Sequence, residues 1–331
     1  MKAAWYETKG PAEQVLRLGE LPDPEPAPGE VRVRIHMSAV NPSDTKNRGG
    51  ARGNVTMPFP RVIPHQDGAG VIDRVGSGVD PARIGERVWV YEATLGRPSG
   101  TAAQFTTVPA HKAVRLPDAV GFDVGACMGI PAMTAHRCVF ADGSVSGKAV
   151  LVQGGAGAVG YYAVQMARLG GASIVLATIS RDEQARRALE AGADAVINYR
   201  NENVVERVAQ LLGPGRALDR IIEVAAGANL ADDVRMLGTR GVIAAYGSDA
   251  VPQPELPFFA MLAKDLTLRT VLVYGMSEEA HQEAARFIDQ ALSEGRLTHQ
   301  IQHVYELDEI VEAHQACEAM KNVGKLLIRL P

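Results

Sequence analysis

Ala149-Val150-Leu151-Val152-Gln153-Gly154-Gly155-Ala156-Gly157-Ala158-Val159-Gly160 is the stretch on which the fold turns. Four apolar residues make a short buried strand, and G-x-G-x-x-G follows at Gly155, Gly157 and Gly160. The pattern is weak alone. It gains specificity because a helical period opens at Val159–Leu169 and a second apolar strand follows at Ile174–Thr178. Glycines at these positions let a pyrophosphate approach the backbone and let the helix pack close to the strand. The free N–H groups of the helix start then hold the anion. A glycine-rich turn without a ligand does not require this whole order of elements.

The end of the second strand selects the dinucleotide. NAD sites usually place Asp or Glu there for the ribose hydroxyls. Here the strand runs out through Thr178-Ile179-Ser180-Arg181, with no acid at Thr178. Arg181 can pair with a 2′-phosphate and Ser180 can hydrogen-bond it, which favours NADPH. Ser180-Arg181-Asp182-Glu183 also reads as a capping box that starts the next helix. The two readings are compatible, because a helix start favours an anion. Asp182 and Glu183 work against it.

Outward from this motif, strands and helices alternate: Arg181–Ala191, Ala195–Ile197, Asp219–Val224 and Gly241–Tyr246. This is the βαβ signature of a doubly wound parallel sheet, an α/β fold. Further on, the patterns predict a strand near Leu266–Tyr274, helices near Glu278–Glu294 and Leu307–Met320, and a closing strand at Lys325–Leu330. Before residue 120 the rhythm is different. Val31–Met37 alternates with period two, and Gly68, Gly70, Gly76, Gly78 and Gly85 punctuate short apolar runs. The proline-rich Pro22–Gly29 is a surface connection. These features predict a compact β domain.

The whole chain bounds the function. Its 331 residues allow two domains, and 46% hydrophobic with 22% charged residues is ordinary globular composition. The net charge is 34 − 38 = −4, which offers no footprint for nucleic acid or an anionic membrane. Met1–Glu20 lacks the apolar stretch of a signal peptide. The three cysteines, Cys127, Cys138 and Cys317, are too few for a disulfide framework. A cytoplasmic location is the expectation.

Several segments share one further property. Val40-Asn41-Pro42-Ser43-Asp44, Asp67-Gly68-Ala69-Gly70-Val71, Val75-Gly76-Ser77-Gly78-Val79, Gly85-Glu86-Arg87-Val88, Gly129–Ala135, the glycine loop, Val196-Ile197-Asn198-Tyr199-Arg200 and Gly324-Lys325 occur in the order known from one family. Taken together the chain resembles the zeta-crystallin-like quinone oxidoreductases of the medium-chain dehydrogenase/reductase superfamily. The resemblance implies a GroES-like domain from residues 1–122 and 263–331, a Rossmann domain from 123–262, and an active site in the cleft. Related alcohol dehydrogenases hold a catalytic zinc there on Cys, His and Cys. The corresponding positions here are Asn41, Gln66 and Ile130, which cannot replace thiolate and imidazole ligands. No metal is expected, and the cysteine cluster of a structural zinc lobe is also absent. His65, beside Gln66, reads as a hydrogen-bonded structural residue.

Without zinc, stabilising an alkoxide is difficult, whereas a quinone or enone is already an electrophile. Only orientation and modest hydrogen bonding are then required. The resemblance places Asn41 and Thr134 near the nicotinamide, Ala158 and Val159 on the pyrophosphate, and Tyr199 with Ser180 and Arg181 around the 2′-phosphate. It also brings Gly324 and Lys325 to the cofactor. Tyr246, Gly247 and Ser248 follow a strand whose carboxyl end should face the ligand. Asn41 and Asp44 are the catalytic candidates. Asp44 either orients Asn41 or a ribose hydroxyl, or caps a turn after Pro42. Many relatives carry Tyr two positions after this Asp; Lys46 here either favours a more anionic acceptor or points into solvent.

The expectation is an NADPH-dependent quinone reductase, a homodimer or homotetramer built on its Rossmann domains. The alternative is reduction of an α,β-unsaturated ketone, aldehyde or acyl thioester with the same cofactor. The remote alternative is a nucleotide-binding structural or RNA-binding protein, a role that the acidic charge opposes.

Overall fold

In the computed structural model, which describes residues 1–53, 55–319 and 323–331, the chain divides into two compact units. The first comprises Met1–Ile130 and Ala285–Pro331, the second Pro131–Ala284.

The first unit begins with a hairpin of β1 (Lys2–Trp5) and β2 (Arg17–Glu20). The period-two run becomes β3 (Glu30–Val40), the longest strand, whose alternate residues Val31, Val33 and Ile35 enter the core. It pairs antiparallel with β4 (Asp67–Val75), which pairs with β5 (Arg87–Val90). β6 (Phe105–Pro109) lies against β3, and β7 (Ala113–Arg115) against β5. The glycines serve close approach as well as turns. A Cβ on Gly70 would collide with the Arg34 carbonyl of β3.

In the second unit, β8 (Ala149–Val152), β9 (Ile174–Ile179), β10 (Ala195–Asn198), β11 (Leu218–Glu223), β12 (Leu237–Ala245) and β13 (Thr267–Thr270) form a parallel sheet in the order β10-β9-β8-β11-β12-β13. The order reverses at β8, the switch point at which such sheets bind ligands outside their carboxyl ends. Helices Ala158–Leu169, Asp182–Glu190, Val204–Leu212 and Ala226–Met236 follow β8 to β11 in turn. Leu151, Leu176, Ile197, Ile221 and Ile243 fill the core.

The chain then returns to the first unit. β14 (Ile301–Glu306) and β15 (Lys325–Arg329) complete the seven-stranded sheet, with β15 antiparallel to β3. The helix read at Leu307–Met320 is a 3₁₀ turn, Leu307–Glu309, running into Ile310–Glu318, and Met320 lies outside the described residues. The strand read at Leu266–Tyr274 stops at Thr270, and Val273–Gly275 turns. Its register with β12, Val242 to Thr267 through Ala245 to Thr270, keeps residues past 263 in the parallel sheet, so the return falls at Ala285.

Candidate active site

The glycine loop carries different loads at different residues. Gly154 takes φ +69°, a left-handed turn that suits glycine. A Cβ on Gly155 would come within 2.6 Å of the Ala177 Cβ on β9. One on Gly160 would collide with the Gly154 carbonyl, so Gly160 seats the helix on the loop. Gly157 is more open and is the N-cap of Ala158–Leu169, with no side-chain cap. The amides of Ala158, Val159 and Gly160 begin this helix, where N–H groups lack intrahelical acceptors. A pyrophosphate fits this cradle: the glycines clear the backbone, and the uncapped helix start offers donors and a positive dipole end.

Thr178 faces the other way. It is buried, accepts from the Gly154 amide at 2.9 Å, and donates to Gln153 Oε1 at 2.8 Å. The position read as lacking a ribose acid is thus a support beneath the loop. The residues beyond it are brought together. The Tyr199 amide donates to the Ile179 carbonyl, setting half-exposed Tyr199 beside Ser180 and Arg181. The capping box lies one residue later than read. Arg181 is the N-cap, and Gln184 Oε1 accepts from the Ser180 and Arg181 amides and from Ser180 Oγ. Gln184 replaces Glu183 because the helix starts at Asp182. The Ser180 hydroxyl proton is thereby committed to Gln184.

Tyr246, Gly247 and Ser248 follow β12 and are tied to the loop after β11. The Tyr246 amide donates to the Glu223 carbonyl, Ala226 to Gly247, and Gly227 to Ser248 Oγ at 2.8 Å. Thr134 is buried on the helix Met133–Phe140, which packs on Ala158–Leu169.

The first unit gathers Asn41, Asp44 and Lys325 around a residue that the motifs did not single out, Asp67. Pro42 starts a helix at Asn41, and Asp44 Oδ2 accepts the Asn41 amide at 2.8 Å, a capping contact that fixes Asn41. Asn41 Nδ2 donates to Asp67 Oδ2 at 2.8 Å, and Asn41 Oδ1 accepts from Lys325 Nζ. Lys325 Nζ also stands 3.9 Å from Asp67 Oδ2. The Ile130 amide donates to both Asp67 oxygens, and a Cβ on Gly129 would collide with that carboxylate. All four polar residues are at most 6% exposed. Burial pushes Asp67 up to about 6, opposed by Lys325 and Asn41. Burial, then the Asp67 charge, pushes Asp44 up to about 7.

The donor set does not fit zinc. Both ends of the Asn41 amide are engaged, Gln66 Oε1 accepts from the Thr94 amide, and Ile130 is alkyl. His65 is occupied too. Thr101 Oγ1 donates to the Asp67 carbonyl at 2.6 Å, so Ser38 must donate to Thr101 at 2.7 Å. His65 Nδ1–H then donates to Ser38, and His65 Nε2 accepts from His314 Nε2–H at 2.9 Å. Burial keeps both imidazoles neutral, holding His65 well below its usual range and His314 at about 3. His65 also sits at φ +78°, an unfavourable backbone state for a histidine, and this chain of hydrogen bonds holds it there. Both ring nitrogens of His65 are thus taken up by hydrogen bonds.

Residues 27–118 match the alcohol dehydrogenase GroES-like domain, and residues 158–290 match the zinc-binding dehydrogenase family. A human quinone oxidoreductase is 31% identical over 98% of this chain and 96% of its own. A Burkholderia 2-haloacrylate reductase is 27% identical over 99% and 98%. Among solved structures, an Escherichia coli quinone oxidoreductase complexed with NADPH superposes with a TM-score of 0.85 at 25% identity, covering 99% of this chain and 100% of its own. The motif order, the two-unit architecture and these full-length likenesses agree: the chain belongs to the zeta-crystallin-like quinone oxidoreductases of the medium-chain dehydrogenase/reductase superfamily.

Proposed function

We propose that this chain reduces a quinone by hydride transfer from NADPH, with no metal in the step. The observation that carries the reading is the cradle at Gly154–Gly160, where four glycines and an uncapped helix start make room and donors for a pyrophosphate. Bound NADPH supplies the hydride; the protein supplies orientation. Ala158 and Val159 amides hold the pyrophosphate. Arg181, with Tyr199 beside it, selects the 2′-phosphate, and Ser180, whose amide and hydroxyl both donate to Gln184, holds the helix start that carries Arg181. Tyr246, Gly247, Ser248 and Thr134 border the nicotinamide end. In the first unit Asn41 and Lys325 present the donors that steady the developing oxyanion, and Asp44 and Asp67 hold them in place.

The likeness to a 2-haloacrylate reductase supports a second reading, reduction of an activated carbon–carbon double bond. Acceptor-dependent NADPH oxidation across quinones and enones separates the two, and turnover of enones alone sinks the quinone reading. Arg181→Ala should weaken NADPH binding about 10- to 100-fold, the worth of one charge-assisted pair, and leave NADH nearly unchanged. Equal losses for both nucleotides contradict the 2′-phosphate role.

We further propose a homodimer through the outer edge of β13, which pairs only with β12 among the described residues. Phe258, Phe259, Leu262 and Leu272 beside it are more than half exposed, an apolar patch that association would cover. A monomer in sedimentation velocity at micromolar concentration rejects this. Among the described residues no helix is long and apolar enough to cross a membrane. The three buried thiols fit a reducing compartment, and we place the protein in the cytoplasm.

A further inference from the structure

Beneath the glycine loop runs a second line of polar side chains that no motif announces. It starts at the Gly154 amide, which donates to Thr178 Oγ1, and Thr178 in turn donates to Gln153 Oε1. Gln153 is thereby oriented with its NH₂ towards Asp233, and Nε2 donates to Asp233 Oδ1 at 3.2 Å. Asp233 is fully buried on the helix Ala226–Met236, and among the described residues no donor reaches its Oδ2. Glu223, the buried last residue of β11, lies beside the same helix, where Asn229, one turn before Asp233, donates to it. Two buried carboxylates without a counter-ion are too costly to persist together, so one of them carries a proton. Glu223 is the acceptor, because the Ala225 amide and Asn229 Nδ2 already donate to it. Every donor in the line then meets an acceptor.

We propose that Asp233 is a positioning residue for the dinucleotide site: as a carboxylic acid sharing its proton with Glu223, it fixes Gln153 and Thr178, and these hold the Gly154–Gly155 turn. The same Glu223 anchors the loops after β11 and β12 through Ala225, Asn229 and the Tyr246 amide. One proton thus locks the loops at the carboxyl ends of three strands, β8, β11 and β12, the place where a doubly wound sheet receives its ligand. Burial and the Glu223 charge push Asp233 up to about 9, and burial raises Glu223 as well. Asp232 on the same helix and Tyr246 after β12 are the other titratable groups acting on or acted on by the pair. As pH rises through 9 the proton leaves, two carboxylates face each other, and the loop loses its support.

The inference rests on NADPH as the cofactor, and the test separates the two ideas. NADPH binding is measured by titration from pH 7 to pH 10 on the full chain, wild type against Asp233→Asn and Asp233→Leu. The asparagine keeps one acceptor for Gln153 and one donor for Glu223 but has no proton to lose. It should bind within threefold of wild type at pH 7 and hold that affinity at pH 10, where wild type weakens roughly tenfold, the effect of losing about one hydrogen bond. Asp233→Leu should be about tenfold weaker at pH 7, because Gln153 and Glu223 lose their partner. Infrared spectra at pH 7 provide a readout independent of binding: a protonated-carboxyl band present in wild type disappears in Asp233→Asn. Parallel pH profiles for wild type and Asp233→Asn, or an unchanged band, overturn the shared proton. Absence of NADPH binding by wild type at every pH overturns the cofactor reading instead.

Discussion

Each unit buries two carboxyl groups one step behind the groups expected to meet the ligand, and the two units neutralise them differently. In the first, Asp44 and Asp67 are accompanied by the Lys325 ammonium, bonded to Asn41 and 3.9 Å from Asp67. In the second, the partners of Glu223 and Asp233 among the described residues are neutral, namely a backbone amide, Asn229 and Gln153. An isolated ionised carboxylate in an apolar interior is too costly to persist, so it takes a counter-ion or a proton. The ammonium option leaves a charged, hydrogen-bonding cluster suited to steadying negative charge. The proton option leaves a neutral brace suited to holding a loop without repelling a pyrophosphate. The difference teaches that a buried acid's role follows from which neutraliser the fold supplies.

The largest test of this contrast is Lys325→Met. Removing the cation strands Asp67 beside Asp44, and breaking a buried pair in this way costs about 3–5 kcal/mol. Urea unfolding at pH 7 measures it, and a loss under about 1 kcal/mol would break the comparison. Adding Asp67→Asn should return at least about 2 kcal/mol, because the stranded charge is gone. In the second unit Asp233→Asn at the same pH should cost less than about 1 kcal/mol, since a neutral amide replaces a neutral acid. A cost there comparable to that of Lys325→Met would mean that Asp233 is ionised.

The contrast also marks what the sequence discloses. The glycine loop is legible because its physics is local: strand, turn and helix start lie within a dozen residues, and Gly160 is forced by the carbonyl of Gly154. Ser180, Arg181 and Tyr199 come together at the end of β9, and the cap lies one residue later than the pattern predicts because Asp182, not Arg181, starts the helix. The first-unit cluster is not local. Lys325 and Asn41 are 284 residues apart, and only the resemblance brought both into view. Asp67 stands in a recognised segment, but nothing in that segment shows that its carboxylate meets Asn41 and Lys325. The second-unit pair was missed altogether, yet it left a signal. Glu223 closes Ile221-Ile222-Glu223 on a strand buried by parallel neighbours, where an acid needs a partner. Thr178 misled because a residue's place at a strand end does not state which way it points; its hydroxyl serves the loop from below.

The smallest expected effect is also the finest probe. Asp44 accepts the Asn41 amide, and burial with the Asp67 charge raises its carboxyl to about 7. At that pH it is about half protonated. Asparagine has the same shape and keeps an acceptor for the Asn41 amide, so Asp44→Asn should change stability at pH 5, where the buried carboxyl is protonated, by no more than about 0.5 kcal/mol. The pH dependence should change more. A carboxyl raised on folding gives stability that is full below its unfolded value near 4 and is lost as pH rises through the folded value near 7. Wild type therefore carries a penalty at pH 8 that the variant lacks, and the variant should be the more stable there by about 2–3 kcal/mol. At pH 5 the two should converge. Urea midpoints at pH 5 and pH 8 read the difference directly. Parallel curves would show that Lys325 neutralises both acids of the first unit, leaving no part of its balance to a proton.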